Sequence, residues 1–449
     1  MPEISAGDTA FVLVAAALVM LMTPGLGFFY GGLVRNKNVL GTIMHTFIIL
    51  ALVSVIWVLW GYTLAFGPDV GKFIGDLQWA GLKGVGQEPG PYSDTIPHLT
   101  YMTFQGMFAI ITPALIVGAF AERIKFSTLL VFITIWLTIV YAPVAHWVWG
   151  GGWLGRWGAL DFAGGTVVHI NSGVAALAAA IIFGRRLNYG REPMEPHNIT
   201  YVVLGAALLW FGWFGFNAGS ALAANGLAAN AFVVTNTAAA SAALAWMGMT
   251  WWRHQKPSVV GAAAGAVAGL VAITPASGFV EPWAAIIIGL GAGVLCYLAV
   301  QLRIKLALDD SLDVWGVHGV GGTWGAIATG IFVVPVVGGG IGATGLIDGD
   351  GFQFGKQVAA VFATWGYSFV VTFAILKVLE RVMGLRVSEE EELVGVDVSL
   401  HGERAYTLEM AGGVAVVEAP AAEARPTATS GDVSLRPALD SGASEGSSA

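Results

Sequence analysis

The sequence predicts an all-α polytopic membrane protein: eleven transmembrane helices, two inverted five-helix repeats plus a C-terminal helix. Three observations predict it. Of the 449 residues, 56% are hydrophobic and only 11% are charged, too little charge to coat a soluble surface. Apolar runs close to the ~20 residues that cross a hydrocarbon core recur through most of the chain. These runs are continuously apolar rather than alternating, which favours helices over a barrel.

Taken in order, the spans fall near residues 9–33, 40–66, 100–120, 126–148, 164–183, 199–219, 228–252, 258–275, 283–302, 314–336 and 357–383. The first begins in "MPEISAGDTAFVLVAAALVMLMTPGLGFFYGG", which has no positive leading region and no small-residue cleavage site. It reads as a retained span rather than a removed leader. Basic residues set the orientation. Arg35 and Lys37, Arg123 and Lys125, Arg185, Arg186 and Arg191, Arg253 and Lys256, and Arg303 and Lys305 occupy every second loop. The intervening loops carry few, so the positive-inside rule places the first set in the cytoplasm, the N-terminus outside and the C-terminus inside. The single cysteine, Cys296, lies in an apolar span and reads as a small core residue; no intramolecular disulfide is possible.

Three segments follow from the change of composition. Residues 1–386 form the transmembrane domain, 387–418 a charged and polar cytoplasmic segment (regulatory, by the resemblance given below), and 419–449 a disordered tail rich in Ala, Ser, Gly and Pro. The net charge of −8 says little about partners, because much of the acidity sits in the last sixty or so residues.

The candidate chemistry lies in two histidines. In "GGTVVHINSG", His169 is the only acidic or basic residue between Thr166 and Phe183, and His318 occupies a similar apolar span in "DSLDVWGVHGVGG". Their contexts match. Asp161 and Asp310 each precede a histidine by eight positions, and Gly173 and Gly322 each follow by four. "GFFYGG" in span 1 is echoed by "GFNAGS" in span 6. Spans 1–5 and 6–10 therefore read as two copies of one unit. An odd number of spans per unit turns the copies upside down relative to each other, with the functional site at their interface near the midplane. There the two imidazoles can satisfy one another through an N–H to N hydrogen bond, leaving two nitrogens to face a path. A metal pair is the weaker alternative, because neither span adds a carboxylate or thiol at ligand spacing.

Aromatic residues supply faces for a small cation. Phe104 and Phe108 lie in span 3, Trp147 and Trp149 near the outer end of span 4, and Phe216 with Ser220 near the outer end of span 6. Any one of them fits an interfacial belt. Trp149, Phe216 and Ser220 together, near the outer face that His169 also approaches, point to a vestibule. No acid residue lies deep in the spans, which argues against a path for bare metal ions. "GAAAGAVAG" and "GLGAGVL" are packing features that let helices approach closely.

"DFAGGTVVHINSG", "GFFYGGLVR", "VHGVGGTWG", "AERIKF" and "WFGFNAGS" occur in an order that closely resembles the ammonium transporter family (the Amt/Mep/Rh superfamily, bacterial Amt branch) as far as about Tyr406. The resemblance implies an eleven-helix protomer in the plasma membrane, a homotrimer with one pore per subunit, and ammonium, ammonia and methylammonium as transported species. It implies an outer recruitment site of Trp149 and Ser220 with Phe108, a stacked gate of Phe108 and Phe216, and pore histidines His169 and His318. Asp161 matches an acidic residue that supports the outer site without touching the cation. "VGVDVSLHGERAY" resembles the family's cytoplasmic C-terminal segment, through which a PII-type regulatory protein acts in many members.

No cofactor, metal or nucleic-acid partner is expected, and no enzymatic activity, since no nucleophile or metal set accompanies the histidines. The rival to transport is an ammonium sensor signalling through the cytoplasmic tail. Passage with the proton returned outside and passage with the proton carried through the histidines remain two open cases, electroneutral and electrogenic. The four glutamates Glu389, Glu390, Glu391 and Glu392 are expected to face the loops carrying Arg185, Arg186, Arg253 and Lys256.

Overall fold

The computed structural model describes residues 3–338 and 342–406. Residues 419–449, predicted as a tail, and 407–418 of the regulatory segment lie outside the described residues. Among the described residues, nine helices are long and apolar enough to cross a membrane. In chain order the crossings are α1 (Ala6–Leu33), α2 (Asn36–Phe66), α3 (His98–Phe120) and α4 (126–148), then α5 (Gly165–Phe183), α6 (Ile199–Gly219) and α7 (Gly226–His254). The shorter α8 (Val259–Ile273) follows, then α9 (Pro282–Lys305), α10 (315–332) and α11 (Gly351–Val382).

The repeat is visible in the packing. α1 lies along α6, and α5 crosses α10, so equivalent helices of the two units pair. Glycine makes both contacts possible. A methyl group on Gly205 of α6 would stand 2.3 Å from the Phe29 backbone nitrogen of α1. At the second crossing, a methyl on Gly173 would stand 2.1 Å from the Gly319 nitrogen, and one on Gly322 would stand 2.9 Å from the His169 Cβ. These are the two glycines that follow the histidines by four, so the matched spacing has a steric meaning. It lets two helices meet backbone to backbone one turn beyond each imidazole.

Both histidines sit on π-helical turns, Gly165–Ile170 and Trp315–Gly319, that open α5 and α10. Each turn starts beneath a carboxylate. Asp161 Oδ1 accepts from the Gly164 and Gly165 amides at 2.8 and 2.7 Å, and its Oδ2 accepts from the Thr166 amide at 2.7 Å and from the Thr166 hydroxyl. Asp310 Oδ2 accepts from the Trp315 amide at 2.7 Å. Free N–H groups at a helix start need such partners, and a carboxylate also suits the dipole there.

α11 begins at Gly351, six residues before the predicted start at 357. The helix continues beyond its apolar part, with Asp350 capping the amides of Phe352 and Gln353 at 3.1 and 2.9 Å. Gln357 then grips the loop before α5, accepting from the Leu160 amide and donating to the Leu160 carbonyl, both at 2.7 Å.

The face carrying the basic loops is joined by buried ion pairs. Arg35 meets Glu122 at 2.5 Å, and Arg186 meets Asp309 at 2.9 Å and Glu122 at 3.5 Å. Burial opposes ionisation of Asp309, yet the Arg186 hydrogen bonds hold its carboxyl below the usual carboxylate range. Breaking such a buried pair is costly, because the remaining charge loses its partner.

The segment after α11 forms two short helices, α12 (Glu389–Val394) and α13 (Val396–His401), packed on this same face. Asp397 Oδ1 accepts from the Gly41 amide at 2.8 Å, and the Val396 amide donates to Asn38 Oδ1 at 2.9 Å. The glutamates meet the expectation in part: Glu389 and Glu392 line a cleft together with Arg185, Arg186 and Arg191, whereas Arg253 and Lys256 do not enter it. Glu391 is consumed in a capping box with Ser388. Glu392 pairs with Arg386 at 2.7 Å and accepts from the Leu187 amide at 2.6 Å. Arg186 is already held by Asp309 and Glu122, and the segment docks on the 36–41 turn rather than on Arg253 and Lys256.

Gly173→Ala is expected to force α5 and α10 apart. Overpacking of this kind costs about 1–3 kcal/mol, read as a lower melting temperature in detergent together with loss of flux.

Candidate functional site

Two cavities approach each other along the interface of the repeats. At the end where Trp149 lies, a cavity of about 310 Å³ is lined by Trp149, Phe108, Ser220, Gln105, Tyr92, Tyr101, Phe162 and others. At the basic end, a larger one of about 570 Å³ reaches from Lys256 and His254 up to Val317 and His318. Between them lies a constriction of only about 10 Å³, walled by His169, His318, Phe216, Trp213, Leu209, Ile111 and other apolar side chains. That volume is at the limit for a single water molecule.

The upper cavity is built from three helix ends. Trp149 closes α4 and is fixed there by its indole N–H, which donates to the Asp161 carbonyl at 2.9 Å. Asp161 thus holds both the start of α5 and the ring beside it. Phe108, on α3, meets Trp149 edge-on at 5.9 Å between ring centroids. Ser220 follows α6 and donates its hydroxyl hydrogen to the Phe216 carbonyl at 2.9 Å, which leaves its oxygen as an acceptor.

Below this, Phe108 and Phe216 lie 4.3 Å apart, tilted by 44°, and both are almost wholly buried. Their rings separate the upper cavity from the constriction. His169 continues the aromatic column, stacked on Phe216 at 5.9 Å and on Trp213 at 5.3 Å. Its Nδ1 lies 3.3 Å from His318 Nδ1, a contact in which one ring donates to the other. His169 Nε2 is buried and has no protein partner. A polar atom left unpaired in so dry a place costs free energy unless a passing molecule satisfies it.

Sequence reasoning named Trp149, Ser220, Phe108, Phe216, His169, His318 and Asp161; the structure places the first six in the linings of the upper cavity and the constriction, and Asp161 behind Trp149, outside both linings. Trp147 does not join them. It packs against Phe73 and Tyr367 at 5.1 and 4.7 Å, outside the cavity lining. Phe104 sits behind Phe108, edge-on at 4.9 Å. Trp213 was missed, although its position one turn before Phe216 on α6 puts it on the same face. Gln105, Tyr92 and Tyr101 were also missed, and nothing local in the sequence marks them. Among the described residues no group of three or more His, Cys, Asp or Glu side chains is placed to hold a metal.

Two cavities at opposite ends of a helical membrane bundle, joined only through an apolar constriction with paired histidines, define a membrane transporter or channel. The Ammonium Transporter Family profile matches residues 10–406. The ammonium transporter of Bacillus subtilis is 55% identical over 401 residues, spanning 89% of this chain and 98% of that protein. The crystal structure of Candida albicans Mep2 has a TM-score of 0.81 at 40% identity, with 86% of this chain and 88% of that one covered. A solved chain described as a sensor Amt protein also reaches 0.81, at 30% identity and with 88% and 98% covered. The chain belongs to the Ammonium Transporter Family.

Proposed function

We propose that the protein transports ammonium into the cell across the plasma membrane, recruiting the cation at Trp149, Phe108 and Ser220 and passing ammonia along His169 and His318. The observation that carries this reading is the dry constriction between a cation-binding vestibule and the paired imidazoles. Aromatic faces attract a small cation, more strongly where water is excluded, and the Ser220 oxygen is free to accept one of its hydrogen bonds. Potassium matches ammonium in charge and nearly in size, but it cannot lose a proton. A constriction walled by no carboxylate makes crossing costly for any ion that stays charged. Ammonium sheds its proton near the Phe108–Phe216 gate, and neutral ammonia crosses with hydrogen bonds to the unpaired imidazole nitrogens.

In this reading the basic face is cytoplasmic, both termini follow the orientation predicted above, and three copies assemble with one pore each. The docked segment of α12 and α13 transmits regulation from a PII-type protein on that face. Asp161 is supporting: its carboxylate is used up on backbone donors and it does not line the vestibule. Reading the chain as an ammonium sensor, which its likeness to the sensor Amt protein favours, implies binding without useful flux.

Four experiments test the proposal. Wild-type protein in proteoliposomes should accumulate methylammonium under an inward gradient, whereas a sensor would bind it without flux. Recording current alongside assigns the proton's route: flux with current carries it through the membrane, flux without current returns it outside. Replacing His169 or His318 by Ala should abolish selectivity, conduction or both in a protein that still folds, and wild-type flux from a folded double variant would sink the histidine reading. Trp149→Leu should weaken apparent affinity by about 1–2 kcal/mol, the size of a desolvated cation–π contact, against a wild-type concentration dependence if the ring is only a membrane anchor. Finally, ending the chain after Arg386 should lower flux at matched membrane expression, while ending it after Glu418 should leave flux nearly intact. Equal flux from the two would make the docked segment a passive tail.

A further inference from the structure

The loop between α2 and α3 opens with a small antiparallel hairpin, β1 (Asp69–Val70) and β2 (Ile74–Gly75). None of its residues lines the vestibule, yet it grips the turn that carries Trp149 at three points. Asp69 Oδ1 accepts from His146 Nε2 at 3.0 Å, and its other oxygen accepts from Arg156 Nη2 at 3.0 Å. Phe73 packs on Trp147 at 5.1 Å. The Lys72 carbonyl accepts from the Trp153 amide at 3.1 Å. These contacts fall at positions 146, 147, 153 and 156, on both sides of Trp149.

The seat beneath the hairpin is tight. A methyl group on Gly75 would stand 2.2 Å from the Thr63 carbonyl oxygen, and one on Gly150 would stand 2.1 Å from the Ala65 carbonyl oxygen. His146 ties the same three pieces together. It is wholly buried, its Nδ1 lies 2.9 Å from the Ala65 carbonyl oxygen at the end of α2, and its own carbonyl accepts from the Gly150 and Gly152 amides at 3.1 and 2.9 Å. Asp69 is where hairpin, α4 and the short helix Trp153–Trp157 meet. The bond from His146, with the Arg156 charge beside it, holds the Asp69 carboxyl below the usual carboxylate range.

We propose that Asp69 is a positioning residue for cation recruitment: its carboxylate, shared between His146 and Arg156, fixes the end of α4 so that the Trp149 ring faces Phe108 across the vestibule. Asp69 touches neither the cation nor the path. It acts through the geometry of Trp149, and the inference rests on the reading of that ring as the cation's partner.

A residue that acts only through a binding ring changes apparent affinity and not turnover, and its effect disappears once the ring is gone. Methylammonium uptake should be measured in proteoliposomes holding the full chain with Asp69→Asn, Trp149→Leu, or both. Asp69→Asn is expected to raise apparent KM about three- to tenfold with maximal flux within about twofold of wild type. The double variant is expected to match Trp149→Leu alone. Arg156→Gln, at a half-exposed side chain, removes the second partner of the same carboxylate without touching the core. It is expected to raise KM in the same direction by a smaller factor, and it carries the test if the Asp69 variant does not accumulate. An unchanged KM, a lowered maximal flux at unchanged KM, or effects that multiply in the double variant would each overturn the inference while leaving Trp149 as the recruiting ring. A wild-type KM for Trp149→Leu alone would instead overturn the recruitment reading, and this inference with it.

Discussion

The structure depends on how closely α5 and α10 can approach. Gly173 lies against the Gly319 backbone, and Gly322 against Gly165 and His169. Only this approach puts two imidazole nitrogens at 3.3 Å beside a space of only about 10 Å³. A buried polar group must find a partner or leave the structure destabilised, and each histidine finds one in the other. The contact uses one nitrogen from each ring. What remains is a pair of polar atoms facing a narrow apolar passage, and in the function we propose that remainder is the surface along which ammonia passes. Substituting either glycine separates the rings before any chemistry is altered.

The inverted repeat gives both ends of the pore the same device and then uses it differently. Asp161 and Asp310 each stand beneath a π-helical turn that carries a histidine. Asp161 spends both oxygens on the turn and its carbonyl on the Trp149 indole, so the upper end is rigid and carries the cage. Asp310 bonds the Trp315 amide with one oxygen and keeps the other, Oδ1, buried and unpaired. Burial, with Asp313 nearby, pushes its carboxyl up to about 6. The lower end opens into the larger cavity, whose lining mixes Phe29, Tyr30, Trp246 and Tyr297 with the charged Lys256 and Asp313. Pseudo-symmetry thus supplies one central pair of histidines and two unlike mouths, which suits a path with a direction of recruitment.

Much of this was legible in the sequence, and the reasons are physical. Hydropathy marks spans because lipid demands long apolar runs, so helix existence could be read and ends such as that of α11 could not: Gln353 lies in a first turn, from Gly351, that precedes the apolar run. The histidines stood out because each is isolated in an apolar span and each has the same neighbours at minus eight and plus four. The π-helical turns left no such mark: Asp161 gathers several amides at once and Asp310 only that of Trp315, although the two stand at the same spacing from their histidines. Contacts between distant segments were equally hidden. Asp397 meets Gly41 across 356 positions, and Asp69 meets His146 across 77. Charge pattern alone sent the glutamates after Ser388 toward Arg253 and Lys256, because it cannot register that Arg386, six residues away, lies nearer to Glu392.

In the transport mechanism we propose, selectivity follows from what the path lacks as much as from what it holds. A cation in the vestibule has ring faces and one hydroxyl oxygen, enough to compensate for part of its lost water. One step further it meets Phe108 and Phe216, whose rings close against each other, and beyond them a space too small to carry hydration along. No carboxylate lies in that space; Asp161, the nearest, is already saturated by backbone donors. An ion that cannot shed its charge therefore has no favourable position below the gate. A cation that can give up a proton becomes a small neutral hydrogen-bonding molecule at that point, and His169 Nε2 is the first unsatisfied partner it meets. The gate and the histidines are consequently one device. Opening the rings without the imidazoles would let ammonia enter an apolar tube with nothing to bind, and keeping the imidazoles without the rings would flood them with water and remove the discrimination.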